Sequence, residues 1–396
     1  MNARRIILTA LSILLSFAAA QPPARGQASD WKQIAIPPMH EFHPQQPRRI
    51  ELRNGMVIFL QEDHELPLIR GTARIRGGSR EEPAAKVGLV SIYGQVWRTG
   101  GTQDQTGDQL DDYLEARGAR VESGGGLDST TLSWDCLKDN QDEVFKVFID
   151  LLRNPAFRED KLPLAKNQLN TGIARRNDNP MGIAQREAQK LGYGADSPYA
   201  RQTEYATVAA VTREDLVNWH KTYVQPNNII LGVVGDFNAQ AMETRLRAAF
   251  EPIPRGPAAV AAKVTIAEPR PGFYFVQKDD VNQSNIRMVE LGTRRDNPDY
   301  YAIEVLNEVF GGSFTSRLVQ VLRTEKGLAY GVGGSIGTTF DHPGLVSIGM
   351  GTKSGTTAAA VEGLFGEVDN ECAADPSESV LTAVDKTYRR LAGIGR

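Results

Sequence analysis

The sequence predicts an α+β protein with two homologous halves, each an antiparallel sheet covered by helices, the second half being incomplete. Strand-like alternation and helical periodicity follow one another along most of the chain. The pattern that begins at Gly55 restarts at Gly272, and a Pro- and Ala-rich linker, residues 251–268, separates the two copies. The matched pairs are Phe59 with Phe275, Gln61 with Gln277, Asp63 with Asp279, and Gly77 with Gly292.

Composition excludes some classes of protein before any motif is considered. The chain has 396 residues, of which 41% are hydrophobic and 23% charged, as in ordinary globular proteins. The formal net charge is −3, and the lysines and arginines are scattered rather than arranged in a stripe. We therefore expect no nucleic-acid partner.

Residues 1–28 are predicted to be a secretory signal peptide. Two arginines precede an apolar run that is followed by small residues, with cleavage after Ala20 or Ala28. The alternative is a membrane anchor, but the run is shorter than the ~20 residues that a spanning helix needs. The sequence thus predicts a periplasmic or secreted protein with no membrane span after cleavage.

Residues 29–49 are predicted to form an extended, Pro-rich lead-in. His40 and His43 lie among prolines and not on a helix that would direct both toward one ion, so we do not expect them to bind metal.

Cys136 and Cys372 are the only cysteines of the chain. An exported protein can oxidise its cysteines, but these two lie far apart in sequence, and we expect two buried free thiols. Two cysteines are too few for a structural zinc site made of thiolates alone.

Residues 50–250 form the first predicted domain. Its helix at 86–101 ends at a Gly-Gly pair, and its helix at 212–228 begins with a capping box formed by Thr212 and Asp215. The other predicted elements are two strands in 49–78, a helix and then a strand in 106–140, helices at 141–155 and 160–180, a buried strand at 229–237, and a helix at 238–254.

Residues 269–396 form the second predicted domain. It repeats the order strand, turn, strand, acidic and Pro-containing turn, helix. The sequence stops at "VDKTYRRLAGIGR", inside a predicted helix, so we expect a fragment or a truncated reading frame.

Two stretches carry a resemblance to a known family. "SRLVQVLRTEKGLAY" with "GGSFTSRL" in the second half, and "VVGDF" in the first, resemble the M16 family of pitrilysin- and insulinase-type zinc metallopeptidases over about residues 45–390. The resemblance implies two domains of the LuxS/metallopeptidase-like fold.

The resemblance also implies where zinc ligands would stand. Catalytic members carry His-x-x-Glu-His on the first helix of the first half, where side chains at i and i+4 share a face. Here "GLVSIYGQVW" places Ser91, Gly94 and Gln95 at the three positions, and Thr171 or Gly172 takes the place of the third ligand. We therefore expect no zinc or other cofactor in this chain.

Arg323 and Tyr330 match the Arg and Tyr with which catalytic members bind substrate from their second half. A tyrosine hydroxyl can donate a hydrogen bond to a developing oxyanion. A guanidinium can donate hydrogen bonds from its fixed set of N–H groups to a carbonyl or a carboxylate. The alternative is an Arg on a helix surface and a Tyr that packs at the start of a strand. "GGSF", residues 311–314, resembles the family's flexible Gly loop.

The leading hypothesis is a non-catalytic subunit of a periplasmic heterodimeric peptidase. Its partner is a paralogous subunit with an intact His-x-x-Glu-His motif and zinc, and its substrate is a peptide. The alternatives are an inert peptide-binding or scaffold protein of the same fold, and a truncated chain that does not fold stably.

Two further features bear on these hypotheses. "SGGGLDSTTLSW" is either an edge strand that pairs with peptide backbone or an ordinary strand with a Gly turn. His64, His220 and His342 are expected to be surface or capping histidines.

Overall fold

The structure is a computed structural model that describes residues 44–259, 264, 266 and 269–373. All of them belong to one compact unit that starts at Pro44. The predicted signal peptide, most of the lead-in with His40 and His43, and the chain from residue 374 onward lie outside the described residues.

The first half contains a six-stranded sheet in the order β1-β2-β6-β3-β5-β4. Neighbouring strands are antiparallel except β2 and β6, which run parallel. Strands β1 and β4 are therefore the two edges. The strands are β1 (Arg48–Glu51), β2 (Val57–Glu62), β3 (Leu68–Arg76), β4 (Arg120–Gly125), β5 (Ser129–Leu137) and β6 (Ile229–Gly235).

Eight α-helices of the first half accompany this sheet. The capping box predicted at Thr212 is confirmed, because its hydroxyl accepts from the Asp215 N–H at 3.3 Å while the Asp215 carboxylate accepts from the Thr212 N–H at 2.8 Å. The helices are α1 (Leu89–Thr99), α2 (Gly107–Glu115), α3 (Gln141–Arg153), α4 (Lys161–Arg175), α5 (Pro180–Tyr193), α6 (Tyr205–Ala209), α7 (Arg213–Tyr223) and α8 (Ala239–Phe250).

One face of the first sheet packs against helices and forms the larger core. Along β3, buried and exposed residues alternate, as the period of two predicts for a half-buried strand. Trp97 of α1 and Phe148 of α3 are fully buried, and the Trp97 indole N–H donates to the Leu151 carbonyl at 2.8 Å. Burial of a side chain such as Phe148 stabilises the fold by ~1.5–3 kcal/mol.

The second half contains a four-stranded sheet in the order β7-β10-β9-β8, with β8 and β9 parallel. Its smaller core joins Leu318 and Leu322 to Ile348 and Met350. The elements are β7 (Gln283–Leu291), β8 (Thr293–Arg294), α9 (Tyr300–Asn307), a π-helical turn (Glu308–Gly312), a second π-helical turn (Val319–Glu325), β9 (Val332–Thr339), β10 (Pro343–Lys353) and α10 (Thr357–Ala373).

The α+β class with two related sheets is confirmed. Strands β3 and β7 have the same length. In the first sheet, Leu68 at the start of β3 pairs with Leu137 at the end of β5. In the second sheet, Gln283 at the start of β7 pairs with Lys353 at the end of β10 in the same way. Each sheet also contains one parallel pair, which the alternation along single strands could not predict. The predicted domain boundaries remain a prediction.

The prediction for residues 106–140 was incomplete. The expected single strand is two strands, β4 and β5, that pair antiparallel around a turn in which the Gly126 N–H donates to the Ser129 carbonyl at 2.9 Å. Helices α5 and α6 were not predicted at all. Most residues of α5 are half-buried and most of those of α6 are exposed, and neither helix has a clear apolar stripe.

The first strand predicted for the second copy was wrong, because residues 272–278 do not form a strand. In the first half, the matching strand β2 forms a ladder with β6. In the part of the chain that the structure describes, no strand stands in that position beside residues 272–278. A strand without a ladder partner leaves its backbone groups unpaired.

Helix α5 of the first half packs against β7 of the second. Near its end, the position of a Cβ on Gly192 would lie 2.6 Å from a Leu345 methyl, so this glycine permits close approach. The Tyr193 hydroxyl donates to the Pro343 carbonyl at 3.2 Å. The two sheets are therefore joined by direct packing.

None of the described helices combines the length and the apolar character that crossing a membrane requires. Cys136 is buried and free, as predicted, and burial together with the Asp135 charge raises the pKa of its thiol to about 11. The side chain of Cys372 lies outside the description.

Candidate functional site

Helix α1 is held at its start by a buried carboxylate. Glu82 accepts hydrogen bonds from the N–H groups of Gly88 and Val90 at 2.9 and 2.6 Å. Burial raises the pKa of Glu82, although both hydrogen bonds lower it. The carboxylate satisfies N–H groups that a helix start leaves unpaired, so α1 has a fixed position on the sheet.

Gly94, in the middle of α1, lies directly against the backbone of β4. A Cβ placed on Gly94 would be 2.3 Å from the Gly125 nitrogen, and the Ser123 hydroxyl donates to the Gly94 carbonyl at 2.6 Å. No side chain fits between helix and strand without displacing one of them. The position at which the family places its general base is thus closed by packing, as well as lacking a carboxylate.

The other two positions of the degenerate motif face outward. Ser91 is exposed. The Gln95 amide donates to the side-chain carbonyl of Gln168 on α4 at 2.5 Å. The structure therefore brings Gln95 beside the helix that carries the predicted third position.

The candidates for that third position offer no ligand either. The Thr171 hydroxyl donates to the Asn167 carbonyl of its own helix at 2.8 Å, and Gly172 faces open space. Zinc is held by thiolate, imidazole and carboxylate ligands, and a hydroxyl, an amide and two glycines do not fit it.

The described residues contain one group of three side chains that is compatible with a metal: Asp128, Asp341 and His342, whose ligand atoms lie within 4.8 Å of one another. Arg80 already supplies the positive charge there, because it pairs with Asp341 and lies 3.3 Å from Asp128. Burial alone would raise the pKa of Asp341, but hydrogen bonds from Arg80 and His342 outweigh it and lower that pKa. This group joins the two halves through an ion pair.

The predicted Arg–Tyr pair does come together in the second half. The guanidinium carbon of Arg323, on the turn Val319–Glu325, lies 5.3 Å from the ring centroid of Tyr330 and 5.2 Å from that of Phe314. Both rings are strongly exposed, Tyr330 to 89% and Phe314 to 76%. We call these three residues the Arg323 cluster; its two arginine–aromatic contacts have cation–π distances.

The local backbone explains this geometry. After the π-helical turn, Gly327 adopts a φ of +61°, which a side chain would disfavour. The N–H of Lys326 donates to the Val321 carbonyl, and the N–H of Leu328 donates to the Leu322 carbonyl, both at 2.9 Å. The chain thereby reverses direction and returns Tyr330 to the side of Arg323.

Sequence reasoning missed Phe314 as a member of the cluster. The signal was the aromatic residue at the end of "GGSF", which was interpreted only as part of a flexible Gly loop. In the structure it forms the second ring beside Arg323.

Strand β4 is an edge of the first sheet, and it is joined to β5 by a Gly-containing turn, so "SGGGLDSTTLSW" has features of both interpretations given above. Because α1 packs on β4, the open edge lies beside the degenerate motif. In the part of the chain that the structure describes, no hydrogen bond, ion pair or ring contact joins the Arg323 cluster to α1.

The histidine predictions were partly wrong. His64 is exposed and pairs with Asp236 at 2.6 Å, as expected. His342 is buried and stacks on Tyr199 at a centroid distance of 3.7 Å. His220 contacts the Tyr93 hydroxyl at 2.9 Å, and burial lowers its pKa to about 4.

Two family profiles match this chain. The profile described as "Insulinase (Peptidase family M16)" matches residues 71–197, and "Peptidase M16 inactive domain" matches residues 210–387. Two related α+β halves in this order define a metallopeptidase-like chain. The chain belongs to peptidase family M16.

Sequence relatives carry two kinds of name. An "Uncharacterized zinc protease" of Rickettsia felis is 24% identical over 304 residues, which cover 75% of this chain and 71% of that protein. A "Non-peptidase homolog YmxG" of Helicobacter pylori is 22% identical over 287 residues, 69% of this chain and 63% of that protein.

Solved structures share the fold. A peptidase M16 inactive domain from Pseudomonas fluorescens has a TM-score of 0.80 at 24% identity and covers 89% of this chain and 84% of that chain. The periplasmic protease PqqL from Escherichia coli has a TM-score of 0.74 at 14% identity and covers 88% of this chain and 38% of that chain.

Proposed function

We propose that this chain is the non-catalytic subunit of a periplasmic M16-type heterodimeric metallopeptidase. It binds an extended peptide and offers Arg323 and Tyr330 to the substrate. A paralogous partner with an intact His-x-x-Glu-His motif holds the zinc ion and the general base. This chain alone is inactive.

The Arg323 cluster carries the proposal. Two rings orient the guanidinium, yet among the described residues Arg323 makes no hydrogen bond or ion pair, and neither does the hydroxyl of Tyr330. Both groups therefore keep their donors free for a ligand. A guanidinium and a phenol side by side can bind one peptide carbonyl as it becomes an oxyanion.

The residues of helix α1 support a site in which a second chain supplies the zinc ion and the general base. Peptide hydrolysis by this family's chemistry requires a zinc-bound water and a base. The positions at Ser91, Gly94 and Gln95 supply neither, and the contact between Gly94 and β4 leaves no room for a carboxylate. The metal and the base must then come from a second chain.

The edge strand β4 supports the binding of an extended peptide. The Val121 carbonyl of β4 already accepts from the Arg98 side chain at 2.7 Å, but the remaining outer N–H and C=O groups can pair with a peptide backbone whatever its side chains are, which gives affinity without sequence preference. The location in the periplasm rests on the signal-like N-terminus and on the similarity of the fold to a periplasmic protease.

The second candidate is a catalytically inert peptide-binding or scaffold protein. The close contact between α1 and β4 favours this candidate, because Gly94 allows helix and strand to pack together at the position where catalytic members have their general base. The relative named as a non-peptidase homologue supports the same view.

Affinity purification of the chain at its native level from its own cells tests the proposal. We expect mass spectrometry to find a homologue with an intact His-x-x-Glu-His in equimolar amount, and peptide hydrolysis by the pair only. A chain that purifies alone, or only with unrelated proteins, contradicts the heterodimer and favours the scaffold.

A further inference from the structure

Two turns, one from each half of the chain, meet at the junction between the sheets. Residues 126–128 connect β4 to β5, and residues 340–342 connect β9 to β10. Asp128 lies in the first turn, and Asp341 and His342 lie in the second. One ligand atom from each of these three side chains lies within 4.8 Å of the other two. We call the three residues the junction group.

The charges around the junction group do not balance. The Arg80 guanidinium lies 2.6 Å from the Glu81 carboxylate and 3.3 Å from the Asp128 carboxylate. It also pairs with Asp341. One guanidinium therefore faces three carboxylates, which leaves two negative charges, and protonation of His342 would offset one of them at most. Because the side chains of Arg80 and Glu81 are buried, uncompensated charge here costs free energy, and the arrangement favours a further cation.

One carboxylate oxygen of the junction group lacks a hydrogen-bond donor. Asp128 Oδ1 is buried, and although Arg80 Nη1 lies 3.3 Å away, the oxygen accepts no hydrogen bond within the described part of the chain. His342 is 6% exposed, and its Nδ1 lies 3.1 Å from Asp341 Oδ1, which is the ring's one polar contact among the described residues. A bound cation would supply the partner that Asp128 Oδ1 lacks.

The donor types and their spacing suit a small divalent transition-metal ion. Zn²⁺ binds carboxylate oxygen and imidazole nitrogen at about 2.0–2.2 Å, so neighbouring ligand atoms around it are ~3–3.5 Å apart. Asp341 Oδ1 and His342 Nδ1 already have that spacing. The group borders an open cavity of about 350 Å³, which leaves room for water at the remaining coordination positions. Arg80 would orient the ligand from outside, because it pairs with the other oxygen of Asp341.

We propose that Asp128, Asp341 and His342 bind one divalent transition-metal ion, with Zn²⁺ as the best match, at the junction of the two halves. The ion joins a turn of the first half to a turn of the second and so fixes the two sheets relative to one another. This site goes beyond the proposed function, because it shares no residue with the degenerate motif or the Arg323 cluster and needs no partner chain.

Isothermal titration calorimetry of the metal-free full chain with zinc chloride tests the site. We expect one Zn²⁺ per chain. Asp128→Asn keeps the size of the side chain but removes its charge, and should weaken Zn²⁺ binding by about 100-fold or more. His64→Gln is the matched control, because His64 likewise lies beside a carboxylate, 2.6 Å from Asp236, but outside the junction group. This variant, and a second one with His40→Ala and His43→Ala, should bind Zn²⁺ as the parent chain does.

Thermal unfolding gives a second readout that does not depend on activity. An ion that binds only the folded chain raises Tm further as its concentration increases above Kd. We expect Zn²⁺ to raise the Tm of the parent chain and of His64→Gln, and to leave that of Asp128→Asn unchanged. His342→Gln should lose the shift as well. If that buried position does not tolerate the change, Asp128→Asn still decides, because the Asp128 side chain is 39% exposed and the variant should fold.

Three results would overturn the proposal. The first is the absence of saturable Zn²⁺ binding by the folded parent chain. The second is equal affinity of the parent chain and Asp128→Asn, which would place the ion elsewhere. The third is loss of binding in the variant with His40→Ala and His43→Ala, which would assign the ion to the lead-in.

Discussion

Replacing Gly94 by alanine should destabilise the protein, although alanine is the better helix former. In a helix interior, alanine is favoured over glycine by ~1 kcal/mol. The new Cβ, however, would lie 2.3 Å from the Gly125 nitrogen, whereas ordinary contacts begin at 3.4 Å. Because the obstacle is strand backbone, helix and strand must separate, and overpacking of this kind costs about 1–3 kcal/mol.

Gly172→Ala is the matched control. Gly172 also lies inside a helix, α4, but nothing stands within 4 Å of the position of its Cβ. Only the helix propensity changes there, so this variant should be more stable by ~0.5–1 kcal/mol. Because the helix-propensity gain is common to both, we expect urea unfolding to separate the two variants by the overpacking cost, about 1–3 kcal/mol. Equal stabilisation of the protein by Gly94→Ala and Gly172→Ala would refute the close contact between α1 and the backbone of β4.

Three further predictions concern stability. Because burial lowers the pKa of His220 to about 4, the unfolded state binds its proton first. The contribution of His220 to the free energy of unfolding should therefore be fully present above about pH 6.5 and decrease by up to ~3 kcal/mol toward pH 4. An equal decrease in the His220→Gln variant would contradict this. Arg80→Met should cost roughly 3 kcal/mol, mainly because it leaves the buried Glu81 carboxylate without its ion-pair partner, while Asp341, which is 44% exposed, keeps its contact with His342. Adding Asp341→Asn should restore part of the loss, and simple additivity of the two changes would show that the pair is not coupled. Ser123→Ala should cost ~1 kcal/mol by removing the hydrogen bond to Gly94, and an unchanged urea midpoint would show that this bond does not contribute.

Local signals in the sequence predicted local structure well. Helix α1 follows from its apolar spacing and closing glycines, and α7 from the capping box at Thr212. The resemblance to the M16 family implied that Arg323 and Tyr330 act as a pair, and the structure brings the two side chains together. Each of these features depends on residues close together in the chain.

Features that depend on distant residues could not be predicted in the same way. Residues 272–278 have the alternation of a strand, but a strand also needs a neighbour, and a counterpart of β6 is not among the described residues. The burial of His220 depends on Tyr93 and Leu152, which come from other elements. The contact of Gly94 with Ser123 of β4 likewise joins a helix to a strand 29 residues further along the chain.

The most direct test of the central claim is peptidase activity of the purified pair with Arg323→Ala in this chain. Arg295 is the matched control, because its guanidinium likewise lies between two rings, 5.0 Å from Tyr300 and 4.8 Å from Phe340. We expect Arg323→Ala to lower kcat by about 10²-fold or more without loss of the complex, and Arg295→Ala to leave it unchanged. Full activity of the Arg323→Ala pair would contradict the account.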